Sequence, residues 1–488
     1  MSAIFTALAL AGAVVWLSGA GRSAVGGNVL VNPPGIIDAN NSPSVAESPR
    51  RPGSLALVHR VDRPRYSAVL EWSGDRGRTW HPTALPLPQG LDRPFAPDLA
   101  FGPDGTLYVL YVNLEGNGNS PGNLWLARSS DSGRTLSPPV RVAGALAFQG
   151  RLAVDDQGTV HLTWLQADQV GILKITGVAP VVTARSTDGG RTFSVPMAVS
   201  DPQRLRVGAA SPVIDSTGAL VVLYEDFKGD RRDFENLEGP PWDEPFALVV
   251  TRSDDGGRTF SPGVELESGL VPARRFLVFL PEFPSLAAGP GGSLYVAWAD
   301  GRNGDDDVFL RRSPDGGRSW SAPVRVNDDR EGDGATQLLP RVAVAPGGRV
   351  DVLFLDRRGD RANVRGEAWL ASSPDGSRAF RNRRVSSVAF DMRVGPLVAA
   401  GLGADFGTRL GLASDDGASL ATWTDTRLGS DATGRQDIAF AVVRSRAVLG
   451  GWLRTVASWP VVLGLLVLGG LCAAGWRRAV GPGMRGQR

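Results

Sequence analysis

Ser73-Gly74-Asp75-Arg76-Gly77-Arg78-Thr79-Trp80 carries a pattern, Ser-x-Asp-x-Gly-x-Thr-aromatic, that returns along the chain and decides its fold. Copies begin at Ser129 (Asp131, Gly133, Thr135, Leu136), Ser186 (Asp188, Gly190, Thr192, Phe193), Ser253 (Asp255, Gly257, Thr259, Phe260) and Ser313 (Asp315, Gly317, Ser319, Trp320). A sixth, at Ser373, keeps Asp375 and Phe380 but has Ser377 and Ala379 where Gly and Thr stand elsewhere. The Ser positions are spaced by 56, 57, 67, 60 and 60 residues, a period that suits propeller blades rather than a helical solenoid. Each octet reads as a turn. Asp accepts hydrogen bonds from its own backbone, Gly supplies a φ that other residues resist, and the aromatic packs beneath.

The regions around the octets repeat as well. Before the copy at Ser313 stand Ser285 to Ala288, a Gly291-Gly292 turn, Leu294-Tyr295-Val296-Ala297-Trp298 and Asp307-Val308-Phe309-Leu310-Arg311; after it comes Pro323-Val324-Arg325-Val326. Turn residues bounding β-branched and aromatic runs predict four antiparallel strands, A to D. Equivalent B strands lie at Leu55–Val58, Leu107–Leu110, Val160–Trp164, Leu220–Tyr224 and Val350–Phe354. A seventh unit has no octet: Arg409–Ala413, Leu420–Trp423 and Asp437–Val443. Its fourth strand is supplied by the other terminus, where Asn28-Val29-Leu30-Val31-Asn32-Pro33 matches Pro323-Val324-Arg325-Val326-Asn327-Asp328. Closing the last blade this way leaves no ring edge unpaired. The expected fold is all-β, a seven-bladed β-propeller over 28–446, with a six-bladed ring as the alternative because the first unit is the least regular.

The octet is the Asp-box, and in it the chain resembles the sialidase-like BNR-repeat β-propellers, among them bacterial proteins named as exo-α-sialidases. That resemblance implies a tyrosine nucleophile activated by a glutamate, an aspartate acid/base, and three arginines gripping the substrate carboxylate, the first in an Arg-Ile-Pro type motif. The chain departs from this. Its five tyrosines are Tyr66, Tyr108, Tyr111, Tyr224 and Tyr295, none in the last two blades, and Ser44-Val45-Ala46 stands where the first arginine motif belongs. Tyr224 with Glu225 is the nearest pair, but strand neighbours point to opposite faces. The enzymatic sialidases also have six blades.

In a four-stranded blade the A–B and C–D turns share one face and the B–C and D–A connections share the other. The Asp-boxes, with Asp75, Asp131, Asp188, Asp255, Asp315 and Asp375, therefore mark the face opposite the long loops, which run over 226–246, 265–284 and 387–408. Elaborated loops on a rigid scaffold are where binding sits. Two sets of ligand-binding candidates reach that face. Arg151, Arg341 and Arg409 open innermost strands and point toward the central funnel, where planar guanidinium groups suit a carboxylate. Asp300/Arg302, Asp356/Arg358 and Asp425/Arg427 close B strands, with Tyr224-Glu225-Asp226 at the same place in blade 4. Each set also has a structural reading: loop ion pairs for the first, turn caps with a paired arginine for the second. The carboxylates Asp226, Asp300, Asp356 and Asp425 are the only pool for a two-carboxylate glycoside hydrolase.

Other chemistries find little here. His59, His81 and His161 are isolated, no His-Glu-x-x-His or Gly-x-Ser-x-Gly occurs, and no cofactor or metal site is expected beyond Ca²⁺ as a candidate at Asp305-Asp306-Asp307 or Asp328-Asp329 with Asp333. The one cysteine, Cys472, forbids an internal disulfide. Excluding Arg22, Arg454 and the four tail arginines leaves 46 basic residues against 50 acidic ones, so the repeat region is mildly acidic and a nucleic-acid partner is not expected. Ala3 to Leu17 is an apolar run followed by Ser18-Gly19-Ala20, which predicts a signal peptide over 1–20, an uncleaved anchor being the alternative. Val456 to Trp476 has no charged residue, is flanked by Trp452, Trp459 and Trp476, and precedes Arg477, Arg478, Arg485 and Arg488. This predicts a transmembrane helix over 456–476 and a basic cytoplasmic tail over 477–488. The sequence thus points to a single-pass cell-membrane protein with an extracytoplasmic propeller. It would bind a glycan or an extracellular protein without standard sialidase catalysis. A glycoside hydrolase of sialidase type acting on cell-surface or extracellular glycans is the alternative.

Overall fold

The computed structural model describes residues 24–25, 27–32, 35–117, 119–168, 170–171, 174–175, 178–229, 245–270, 283–377, 379–396 and 404–445. Residues Ala24–Arg444 form one unit in which seven antiparallel sheets are the blades, five of four strands and two, blades 6 and 7, with a short fifth strand, beside a two-stranded hairpin at Val170–Gly171 and Lys174–Ile175. Blade 1 is Ala39–Glu47, Leu55–Arg63, Ser67–Ser73 and His81–Ala84, and each later blade repeats that A-B-C-D order from the axis outward. The innermost strands of blades 2, 3 and 4 are Pro94–Phe101, Ala147–Val154 and Val207–Ile214. Those of blades 5, 6 and 7 are Ser285–Ala288, Gln337–Val344 and Gly411–Ser414. The predicted signal peptide and the apolar segment 456–476 lie outside the described residues. Among the described residues no helix is long and apolar enough to cross a membrane.

The expected closure is present. Val29 pairs with Phe440 and Leu30 with Ala439 on strand C of blade 7, Asp437–Arg444, and the pairing extends to Ala24 and Val25 opposite Arg444 and Val443. The match between the N-terminal strand and strand D of blade 5 holds at the level of atoms. Asn32 Oδ1 accepts from Ile438 N at 2.7 Å and its Nδ2 donates to Asp437 at 3.0 Å. Asn327 does the same to Val308 N at 2.9 Å and Asp307 at 2.6 Å. Asn in this place satisfies a buried backbone N–H and a buried carboxylate together, which explains why a strand so distant in sequence docks in one register.

The repeated turn is a self-contained hydrogen-bond cage. Ser73 Oγ donates to Asp75 at 2.8 Å and accepts from Gly77 N at 2.8 Å, while Asp75 accepts from Thr79 N at 2.9 Å and from the Thr79 hydroxyl at 2.7 Å. The same bonds recur at Asp131, Asp188, Asp255 and Asp315. The bonds from Ser319, hydroxyl first, hold the Asp315 carboxyl down at about 2. Around Asp375 the bonds from Gly376 N to Ser373 Oγ and from Ser377 N to Asp375 remain, and the hydroxyl that Thr supplies elsewhere is lost with Ala379.

Apolar residues alternate between the two faces of each sheet, so every blade packs on both neighbours. Leu110 and Val112 of blade 2 meet Leu152 and Leu162 of blade 3. Leu55 and Leu57 of blade 1 meet Leu420, Ile438 and Phe440 of blade 7 across the closure. The turn cage is itself part of this seam: Gly77 has φ +82° and a Cβ there would lie 2.1 Å from Phe440 Cε1. Gly218 has nearly the same φ, +83°, and open space around it. Gly218→Ala therefore meets only the backbone penalty of about 1–2 kcal/mol, whereas Gly77→Ala adds overpacking of about 1–3 kcal/mol. Asn32→Ala, which orphans Ile438 N, is expected to cost about 1–3 kcal/mol. Equilibrium denaturation of the three variants checks this order, and equal losses at Gly77 and Gly218 would refute the seam.

Candidate functional site

An irregularity repeated in the inner strands builds the site. Strand A of blades 1, 2, 3, 4 and 6 carries a bulge, with register shifts at Asn41/Ser44, Phe95/Asp98, Phe148/Arg151, Gly208/Ser211 and Leu338/Arg341. Inside each shift a non-glycine residue takes a positive φ: Ser42, Ala96, Gln149, Ala209 and Leu339. Gly407 does so at the entry to blade 7. Such strained positions re-aim the side chains that follow them. The residues two places on are Ser44, Asp98, Arg151, Ser211, Arg341 and Arg409, set around the axis at the looped end of the ring.

Arg151, Arg341 and Arg409 come together there. Each feels the carboxylate of Asp98, Arg151 also feels Arg341, and Arg409 feels Arg151, Arg341 and Arg60. Arg151 and Arg409 are only 6% and 7% exposed, and Arg341 is half-buried. Arg409 donates from Nη2 to the Pro97 carbonyl, spanning from blade 7 to blade 2, and Arg151 lies 3.9 Å over the Phe283 ring. These contacts do not exhaust the cations. Among the described residues Arg151 Nη2, Arg341 Nε and Arg409 Nε are buried with no hydrogen-bond partner. Burial pulls all three below their ordinary value, Arg151 to about 10, and the Asp98 carboxylate opposes the shift in each. Guanidinium keeps its proton at neutral pH all the same, so the site is a desolvated cluster of three positive charges facing one negative. Desolvated charge without a partner costs several kcal/mol.

Further along the inner strands, at the opposite end of the ring, the lining turns apolar. A recess of about 380 Å³ there is bounded by Val45, Glu47, Leu99, Phe101, Ala413 and Ser414.

Beside the arginines lies a knot that joins blade 1 to the entry of blade 7. Arg60 grips Asp62 through Nε at 2.8 Å and Nη2 at 2.9 Å, and the same Nη2 donates to Asp405. Asn41 donates to Asp62 at 2.8 Å, and Gly407 N to Asp405 at 2.8 Å. Burial raises Asp62 to about 6 against the pull of Arg60. Tyr66 stands near, its hydroxyl pushed up by burial and by Asp62, which is the reverse of an activated nucleophile.

The second predicted set is placed differently. Asp226, Asp300, Asp356 and Asp425 sit at equivalent ends of strand B in four successive blades, all buried. Each accepts from the backbone N–H two residues on, at 3.0, 2.9, 2.7 and 2.9 Å. Arg302, Arg358 and Arg427 fold back onto their own Asp, through Nε at 2.7, 2.7 and 2.9 Å. Asp226 is held by Arg204 and by Lys228. The Asp-x-Arg pairs are turn clips, the structural alternative read from sequence, and the four carboxylates belong to four different blades. Burial raises Asp356 to about 6 against Arg358. Tyr224 is fully buried and pushed up to about 12 by that burial. Three of the acidic loop candidates for Ca²⁺ are engaged by arginine, Asp307 and Asp329 by Arg325 and Asp328 by Arg358, while Asp305 and Asp333 accept from the backbone N–H of Gly334 and Ala335. Among the described residues no His, Cys, Asp or Glu group is arranged to hold a metal ion.

Asp98 escaped the sequence reading. Its signal is there in Phe95-Ala96-Pro97-Asp98-Leu99, which parallels Phe148-Gln149-Gly150-Arg151-Leu152 and Leu338-Leu339-Pro340-Arg341-Val342.

No family model matches the chain, and no curated protein matches it. Solved structures do. A protein of unknown function from Dyadobacter fermentans DSM 18053 is 14% identical with a TM-score of 0.49, covering 87% of this chain and 99% of its own. The Hadza microbial sialidase Hz136 is 16% identical with a TM-score of 0.44, over 80% of this chain and 73% of its own. A PL25 ulvan lyase is 12% identical with a TM-score of 0.47, over 88% and 97%. At these values none of them assigns a residue of the site.

The knot makes a pH prediction. Because Asp62 is raised in the folded state, its protonated form stabilises the fold below its unfolded value near 4, and that contribution is lost as pH rises through about 6. Wild type is expected to lose stability between pH 4 and 7 relative to Asp62→Asn. Denaturation at both pH values tests this, and parallel profiles would refute it.

Proposed function

We propose that this chain is a membrane-anchored, extracytoplasmic propeller of the sialidase-like, Asp-box type. It binds an acidic glycan or protein ligand at the looped end of its channel and lacks standard sialidase catalysis. The observation that carries the reading is the cluster of Arg151, Arg341 and Arg409, three cations each with a buried, unmatched N–H donor, and one facing carboxylate. Planar donors converging on one point suit an anionic oxygen group, and the cost of desolvating them is already met in the folded ring. Absence of standard catalysis follows from the tyrosines: Tyr224 is sealed in blade 4, and Tyr66 is shifted away from ionisation. Membrane anchoring is supported by the uncharged 456–476 run with its Trp flanks and arginine tail.

A second reading, a glycoside hydrolase, has one observation in its favour. Asp62, raised to about 6 beside the arginines, lies in the range of a general acid. Its engagement with Arg60 and Asn41 weighs against it.

Full-length protein in detergent is expected to bind small anions, with affinity falling at least tenfold in Arg341→Ala, about the worth of one charge-assisted hydrogen bond. Titration calorimetry measures it, and unchanged affinity would sink the proposal. Hydrolysis of a sialoside that Arg341→Ala abolishes would favour the enzyme. Release of the protein from membranes by alkaline carbonate would contradict the anchor.

A further inference from the structure

The two ends of the described ring lie side by side. Ala24 pairs with Arg444 and Val25 with Val443, so the first strand and the last are neighbours. Their height in the ring is fixed by the rest of blade 7. Arg444 also pairs with Ala418, which follows the A–B turn, whereas Asp437, at the start of the same strand, pairs with Asp425 at the opposite end. That A–B turn meets the first repeated turn through the ion pair of Asp415 with Arg76. Ala24 and Arg444 therefore both lie at the end of the ring that carries the repeated turns, while the three arginines lie toward the looped end.

Chain length then bears on which way the site faces. Residues 445–455 separate Arg444 from the uncharged run that begins at Val456. A relaxed chain of that length spans about 17–20 Å. Climbing back along blade 7 to the looped end takes the length of strand C, eight residues or about 26 Å. Full extension gives about 36–40 Å, so the looped end comes into reach only with the chain drawn taut against its entropy. At the other terminus residues 18–23 lead from the apolar run into Ala24, and six residues reach about 20–22 Å even when fully extended. Where that run is kept as an anchor, the looped end is beyond it. Charge does not compete with the chain ends, because exposed Arg191 and Arg258 share the turn end with exposed Asp156 and Asp254.

We infer that the end of the ring carrying the repeated turns is the surface that faces the membrane, and that the anion site opens away from it. The inference rests on the membrane-anchored reading above and narrows the source of the ligand. The anion comes from the medium or from an opposing surface, and headgroups of the anchoring bilayer do not reach the three arginines.

Full-length protein carrying Cys472→Ser is reconstituted into phosphatidylcholine vesicles with a single fluorophore on an introduced cysteine. One variant is Val195→Cys, just past the Asp188 turn, and the other is Ile36→Cys, in the connection that enters blade 1 at the looped end; these positions are 87% and 79% exposed, so neither substitution disturbs the core. The vesicles contain a lipid with a quencher on its headgroup. Fluorescence at Val195 is expected to be lost and that at Ile36 to be retained. Loss at Ile36 with retention at Val195, or equal loss or retention at both, in protein that alkaline carbonate leaves on the vesicles, would overturn the orientation and leave the anchor standing. Release of the protein by carbonate would overturn both.

Discussion

A ring of antiparallel blades has two free edges until it closes, and every other feature of this protein depends on how they meet. Strand C of blade 7 would present unpaired N–H and C=O groups to water if Val29 and Leu30 did not pair with Phe440 and Ala439. Asn32 completes the closure by answering both Ile438 N and Asp437. The seam then gathers further links. Phe440 fills the space beneath the Gly77 turn and meets Trp80 edge-on, while Arg60 of blade 1 reaches Asp405 at the entry to blade 7. Closure in turn is what lets inner strands from different blades face one another across a channel narrow enough to desolvate their side chains.

That desolvation gives the arginines their character. On an open surface three guanidinium groups would be ordinary solvated charge worth little to stability or binding. At the axis they lose water without gaining enough acceptors, and Arg151 and Arg341 are each anchored two residues beyond a strained position in a bulge. The same scaffold treats its other arginines in the opposite way. Arg302, Arg358 and Arg427 are folded onto their own aspartates and over aromatic or polar neighbours, which is what a turn requires.

Much of the architecture was legible in the chain. The six octets set the blade period because their bonds are local: Ser73, Asp75, Gly77 and Thr79 satisfy one another within seven residues. The closing strand was legible because Asn32 and Asn327 do the same work in similar surroundings. The site was legible only in part. Arg151, Arg341 and Arg409 were identifiable by their place at the start of inner strands, but the Asp-x-Arg pairs looked equally like a site. An aspartate that caps its own turn and one that faces a ligand have the same sequence signature. Asp98 passed unnoticed because its sign differs from that of its counterparts and its blade has no arginine at that place.

The sequence by itself determined blade number, strand order and the face on which the repeated turns lie, because these rest on contacts between residues close along the chain or on a strand pattern repeated in full. Only the tertiary structure decided which charges are paired. Arg409 is in contact with Pro97 and in the field of Arg151 and Asp98, all more than two hundred positions away along the chain. Whether a guanidinium is spent on a neighbouring carboxylate or left facing the channel depends on distances that exist only once the ring has closed.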